Sequence, residues 1–589
     1  MNKKALIIIT ALILGLSTAG GYYYYQQQQQ QNEKFELAFL EAKKDYEDSD
    51  YYKAFNTYKK LAEQGYAKAQ YQIAQMYAEG KGVRADDDLA LFWLKKAAVQ
   101  DEPEAQSRLA IHYFEGFRAD RDFNQAIRLF NQAAKNDDPV ALRYLGIMYR
   151  DGEGVTTDKQ KAIKYFERAT DLKDADSAWF VSQMYKIGDG IEENENKHIE
   201  FQTLSAMLGN KYAQYETAML FYSLNEEGTN KLDIAIDLLK KSAEQGHSDA
   251  QYELAGIYFY GNGVEKDYAL TAKLYEQAAE QGNEKAYFRL GYLYHEGIGV
   301  KKDEQQAVKW YLKAAQNSVR GAQSNLANIY RTGSYLVRNE KEALYWYKQA
   351  AEQGDIYAQL NVGDMYRDGI GTSKDAEEAV KWYQKAADQS DDEGQVALGI
   401  MYDLGEGVKQ DKAKAVDLYQ KAANKGNVEG QVYLGVMYET GQGVKQDTKQ
   451  AAKWFEKAAE QGNVRAMLNL SNLYFSKKLG EKKQSEGLKW LEKAANAGNK
   501  DAQFDLGLRY ADGNGVAQNH AKAIEWYKKA AKQEHAGAVN NLGFLKEKGY
   551  PVDWVDVGYR TLFRVKEIYK KACELGNQTA CDNYRKTRF

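Results

Sequence analysis

Residues 286–315 read AYFRLGYLYHEGIGVKKDEQQAVKWYLKAA. Ala286, Leu290 and Tyr294 recur at a spacing of four, which puts them on one helical face with the small Gly291 beside them. Gly297-Ile298-Gly299-Val300 then stops the helix, because a Gly suits the left-handed position at a helix end. Asp303, three residues past the Val, is placed to cap a second helix. That helix carries Ala307, Trp310 and the pair Ala314-Ala315. The stretch is two antiparallel helices with an incomplete core, which a neighbour of the same kind completes.

The neighbours are present. With the second Ala of Lys-Ala-Ala as anchor, equivalents fall at Ala62, Ala98, Ala134, Thr170, Ala206, Ala243, Ala279, Ala315, Ala351, Ala387, Ala423, Ala459, Ala495, Ala531 and Cys573. The spacing is 36 throughout, apart from 37 before Ala243 and 42 before Cys573. Seven of the nine tryptophans (Trp93, Trp310, Trp346, Trp382, Trp454, Trp490 and Trp526) share one slot, which reads as core rather than as a ligand box. Three units depart from the pattern. Lys186 to Ala206 holds Phe201 in the Trp slot, Leu224 to Ala243 lacks Gly-x-Gly, and Tyr550 to Cys573 carries six extra residues including Pro551 and Trp554. A chain of 589 residues exceeds one compact core, so a linear array of about fourteen helix–turn–helix repeats is expected. Only three prolines against 49 glycines fits helices stopped by glycine.

The net charge of −4 argues against nucleic acid as a partner. The six histidines are scattered and none has a second at metal spacing, so neither metal nor cofactor is expected. Gly-x-Gly cradles phosphate only between a strand and a helix; here it recurs between helices. At the N-terminus, Lys3 and Lys4 precede an apolar run from Ala5 to Gly21, the pattern of an export signal. Its length favours an uncleaved anchor with Tyr22 to Tyr25 at the interface, while Ser17-Thr18-Ala19 offers a cleavage site for the alternative. Gln26 to Gln31 reads as a polar spacer, and no Cys follows the run to take a lipid. The domain boundaries are therefore 1–31 for the signal or anchor with its spacer, 32–573 for the array and 574–589 for a closing helix.

The pattern Ala-x3-Leu-Gly-x2-Tyr, Gly-x-Gly-Val, Asp, Ala, Trp-Tyr and Lys-Ala-Ala resembles the Sel-1-like repeat, a relative of the tetratricopeptide repeat. Ala286 through Ala315 and Gly430 through Ala459 match it closely. The resemblance implies an all-α fold, a right-handed superhelical α-solenoid with a concave face, and scaffold or adaptor roles, often in exported bacterial proteins. Together with the N-terminal lysines and apolar run, this gives the expectation of a bacterial inner-membrane anchor with the repeats in the periplasm, or, if the signal is cleaved, a soluble periplasmic or secreted protein. Membrane contact is confined to the N-terminal segment. A cysteine-rich branch of the family is linked to β-lactam hydrolysis, but no Ser here has a Lys three residues on, so no enzyme is expected. That branch also implies a bridge between Cys573 and Cys581, since it pairs cysteines at this eight-residue spacing. The turn at Gly576-Asn577 brings the two within disulfide reach; the alternative is two buried free thiols.

Positions that vary between units are free for recognition. On the first helix of each pair the most varied slot precedes the aliphatic residue, and it includes Arg108, Tyr144, Arg289, Asn325, Asn361, Tyr433, Asn469 and Asn541. Asn pairs with a peptide backbone, and Arg and Tyr are favoured interface anchors. The expected function is a non-enzymatic adaptor that takes a protein or peptide on the concave face, and the alternative is a module directed to peptidoglycan or its enzymes.

Overall fold

The computed structural model describes residues 27, 30–117, 121–224, 230–476, 479–480, 484–553 and 564–587. The run Ala5–Gly21, with the anchor and signal readings placed on it, lies outside them, and so does Trp554. Among the described residues every regular element is a helix, and none is long and apolar enough to cross a membrane. Packing divides the chain into two units, Met1–Ala286 with Gly297–Lys301 and Tyr287–Glu296 with Lys302–Phe589. Each unit is a row of helix pairs. The helices are numbered in chain order from α1 (30–47) and α2 (Tyr51–Glu63).

One pair shows how the sequence makes the fold. Asn427 accepts a hydrogen bond from the Gly430 amide at 2.8 Å and so starts α23 (Val428–Thr440). The helix ends at Gly441, where φ is +75°. Asp447 then caps α24 (Thr448–Glu460), accepting from the amides of Lys449 and Gln450 at 2.9 and 3.0 Å. The Asp447 amide donates back to the Tyr438 carbonyl at 2.9 Å, which closes the turn. The other expected caps, Asp158, Asp267, Asp303, Asp411 and Asn519, all do the same for their helices.

The two helices meet through a small residue and a ring. A Cβ on Gly435 would stand 2.6 Å from the Phe455 ring, and Phe455 is fully buried. Gly146 meets Phe166, Gly291 meets Tyr311, Gly363 meets Tyr383, Gly399 meets Tyr419 and Gly507 meets Tyr527 in the same way. Next to each ring lies the Trp slot. Six of its seven tryptophans are buried and Trp526 partly so. A Lys three residues on covers the outer face of several: Lys385 over Trp382 at 3.7 Å, Lys493 over Trp490 at 3.9 Å and Lys529 over Trp526 at 3.7 Å. In the acidic unit Phe201 takes the slot and stacks on Tyr185 at 5.9 Å.

Successive pairs are joined by two devices that the repeat pattern does not announce. In several turns the second Gly of Gly-x-Gly lies against the backbone of the preceding pair. A Cβ on Gly443 would sit 2.2 Å from the Lys412 carbonyl oxygen, and Gly371 and Gly407 stand likewise against Glu340 and Ala376. The second device is a glutamine ladder. Buried Gln323 donates to the Ala315 carbonyl at 3.1 Å, while its own carbonyl accepts from Gln353, thirty residues on, at 2.8 Å. Gln251 with Gln281, Gln359 with Gln389, Gln431 with Gln461 and Gln503 with Gln533 repeat the rung. Where the second Gln is absent the rung breaks. Residues 136 and 425 are Asn and Lys, and Gln106 Oε1 and Gln395 Oε1 are left without a partner among the described residues.

At the C-terminal end α30 (Val565–Glu574) and α31 (Gln578–Lys586) are bridged by Cys573–Cys581, with Cα atoms 4.6 Å apart. Two outcomes follow. Gly443→Ala and Gly462→Ala both force a left-handed side chain, worth about 1–2 kcal/mol. Only Gly443 adds a backbone collision, since nothing lies within 4 Å of a Cβ on Gly462. Gly443→Ala is therefore expected to lower the urea midpoint more; equal losses would refute the close approach. Cys581→Ser should cost about 2.5 kcal/mol through its short loop. The loss should appear as faster amide exchange in α31, and two freely alkylated thiols in the unreduced, denatured chain would refute the bridge.

Candidate binding face

The slot residues stand on first helices. Arg108 and Tyr144 lie in the first unit, on α5 (Pro103–Glu115) and α7 (Pro139–Asp151). The other six lie in the second, beginning with Arg289 on α15 (Glu284–Glu296), Asn325 on α17 (Arg320–Thr332) and Asn361 on α19 (Ile356–Asp368). Tyr433, Asn469 and Asn541 follow on α23, α25 (Val464–Phe475) and α29 (Ala536–Glu547). Arg108 is exposed and the rest are half-buried.

Their inner surfaces have work within the fold. Tyr144 stacks on Phe130 at 5.2 Å and Tyr433 on Tyr419 at 5.1 Å. Asn541 donates to the Tyr527 hydroxyl at 3.2 Å, and Asn325 stands beside the hydroxyl of Tyr311. In each case the slot covers the buried ring of the preceding second helix. It is a lid over the core on one side and a surface position on the other, a double role that a one-dimensional pattern of variation does not reveal.

In the first unit this face hollows into a cavity of about 440 Å³ between α3 (Ala67–Glu79), α4 (Asp87–Ala98), α5 and α7. Arg108, Tyr144, Arg143, His112 and Tyr71 all line it, so the structure brings together two of the sequence-selected residues there. Arg143 is committed to Asp174 and Asp176 at 2.6 and 3.0 Å. Burial first, then the nearby Arg108 charge, holds His112 below the ordinary histidine value of 6.5.

A Ser–His pair exists, with Ser182 Oγ 2.9 Å from His198 Nδ1, but both side chains are buried between α9 (Ala175–Ile187) and α10 (Glu195–Leu208), out of reach of a substrate. No group of three or more His, Cys, Asp or Glu side chains that could hold a metal occurs among the described residues.

Paired helices in register, capped alike and stacked at a 36-residue interval, define an α-solenoid of the scaffold class. The Sel1 repeat family model matches thirteen times in succession, from residue 67 to residue 535, and the chain belongs to the Sel1 repeat family. Its proteins are generally non-catalytic protein-interaction scaffolds. Among solved structures, the chain is similar to a protective antigen present in uropathogenic Escherichia coli strains that displays an SLR fold. Identity there is 32%, over 75% of this chain and 95% of that one, with a TM-score of 0.58. A Sel1 repeat protein from Oxalobacter formigenes is 28% identical over 62% of this chain and 94% of its own, with a TM-score of 0.39. No curated protein matches the chain.

Two histidines stand where other first helices carry Asp or Asn caps. His247 Nδ1 accepts from the Ala250 amide at 3.2 Å and His535 Nδ1 from the Ala538 amide at 3.1 Å. Burial is the main cause that lowers the pKa of both. A protonated ring cannot accept, so the fold favours the neutral form. Stability from these caps is full above the unfolded value of 6.5 and declines as pH falls through it. His247→Asn with His535→Asn should keep both caps and flatten the fall in urea midpoint between neutral and mildly acidic pH. An unchanged slope would show that these caps do not set it. Each lost cap is worth about 1 kcal/mol.

Proposed function

We propose that the chain is an adaptor of the bacterial cell envelope that engages a protein or peptide across the face made by its first helices. The observation that carries this reading is the double-sided slot. The rings, small residues, caps and glutamines around it recur in most pairs, while the slot ranges over Arg, Tyr, Phe, Glu, Asn, Asp, Gln and Ala along the array. That gives a rigid surface with a varied edge, which is what recognition of one partner among many needs. Asn325 and Asn361 hold matching positions on consecutive pairs of the second unit, so their amides address an extended backbone twice.

The envelope reading rests on Lys3-Lys4 with the apolar run that follows them, and on the Cys573–Cys581 bridge, which persists in an oxidising compartment. The relative described as a protective antigen fits that placement. The anchor and the cleaved signal are told apart by retention of the chain in washed membranes.

Affinity capture from envelope extracts, with the repeat array as bait, tests the function. The captured protein should bind at least tenfold more weakly to the variant Asn325→Ala with Asn361→Ala, at unchanged helicity. Undiminished affinity for every captured protein would overturn the assignment of this face. Saturable binding to purified sacculi, free of protein, would replace the adaptor reading with the peptidoglycan-directed one.

A further inference from the structure

From α3 to α29, one slot on each first helix lies three residues past the aliphatic one. It holds Met, Leu or Ile in every pair but two, as at Met76, Met148, Met184 and Leu293, and all four of these are buried. The exceptions are Arg509 on α27 (Lys500–Asp512) and His112 on α5. Arg509 is taken up within the fold, its guanidinium 3.2 Å from the centre of the Phe475 ring. His112 instead lines the cavity of about 440 Å³ between α3, α4, α5 and α7. That volume falls within the roughly 300–1,000 Å³ of small-ligand sites.

The walls of the cavity divide by chemistry. Ala90, Leu91 and Leu94 of α4, with Ile111 of α5 and Val140 of α7, make an apolar side. Phe117, which also lines it and is 44% exposed, meets the His112 ring edge-on at 4.9 Å. Arg108, one turn before His112 on α5, makes the polar side. Of the two guanidiniums here, that of Arg143 is held by Asp174 and Asp176, whereas Arg108 is exposed and enters no ion pair among the described residues. Glu79 is held by Lys81 at 2.8 Å, and Glu115 faces the Tyr144 hydroxyl at 3.5 Å. One accessible cation therefore stands beside an apolar hollow. Because Glu79, Asp87 and Glu115 also line the cavity, a ligand with several acidic groups is repelled and a single carboxylate is admitted.

We propose that this cavity receives the C-terminal residue of the partner chain, with its carboxylate on the Arg108 guanidinium and an apolar side chain against Leu91, Leu94 and Ile111. The site rests on the reading of the first-helix face as a protein-binding surface. An apolar C-terminal residue presents a carboxylate and a hydrophobic side chain from one α-carbon, whereas Asp and Glu present the carboxylate alone. A guanidinium takes a carboxylate through two parallel hydrogen bonds, which fixes the orientation of the chain end.

The test uses the full chain and short peptides that end in Leu, Phe or Ser, each made with a free and with an amidated C-terminus. A further amidated set carries Asp or Glu at an internal position. Wild type should favour free Leu and Phe ends over their amides by about tenfold or more. It should favour them over free Ser ends by a similar factor. Arg108→Gln should erase the difference between free and amidated ends, and its exposure keeps the fold out of the outcome. His112→Met, which gives α5 the buried residue of the other first helices, should weaken binding of the free Leu and Phe ends at equal or greater stability. That variant separates loss of the cavity from loss of folding. Equal binding of free and amidated ends, no binding of either, a preference that survives Arg108→Gln, undiminished binding by His112→Met, or binding that follows the internal Asp or Glu would each overturn the receptor. Capture of a partner that depends on Asn325 and Asn361 would still uphold the surface itself.

Discussion

An aromatic ring pressed against a small residue is the contact on which the helix pairs depend, and in about half of them that residue is a glycine with no side chain, where others carry Ala or Ser. Gly435 against Phe455 and Gly363 against Tyr383 bring two helix backbones to a distance that any Cβ would prevent. The ring gains full burial, on the order of 1.5–3 kcal/mol for a side chain of this size. Because the ring is fixed by its own backbone, its far edge lies in one place and becomes the floor on which the next first helix rests. The slot residues Tyr144 and Tyr433 stack on that floor. The geometry of the candidate binding face is therefore set from within the core.

Directional contacts then fix the register between pairs. A buried glutamine amide has more hydrogen-bonding groups than one partner satisfies. The ladder meets this by passing each amide to the next pair, as Gln281 does to Gln251 and Gln353 to Gln323. Hydrophobic packing alone permits sliding along a helix; a buried polar group left unpaired does not. Where the second glycine of a turn closes against the preceding backbone, as at Gly371, Gly407 and Gly443, it excludes the same motion by steric means.

A repeating structure also makes its exceptions legible, because each pair is a control for the others. Gln106 and Gln395 lose partners where the chain departs from its own pattern. Where one pair has Asp364 and Asp368 the preceding pair has Asn328 and Thr332, and there Arg331 donates to Asn328 Oδ1 at 3.2 Å in place of a carboxylate. The glutamine orphans sit between pairs, inside the stack.

The helices, their ends, the 36-residue interval, the Asp and Asn caps and the burial of the tryptophans were all legible in the sequence, because each depends on residues within one turn or one pair of helices. The bridge between Cys573 and Cys581 was also within reach, since eight residues and one turn separate them. The tertiary structure decided the rest. That Asn541 and Tyr144 cover buried rings and that glutamines thirty residues apart share a hydrogen bond both rest on contacts between successive elements. A repeat period shows that residues are equivalent, but only their positions in space show which equivalent groups touch, and so which one is left without its partner.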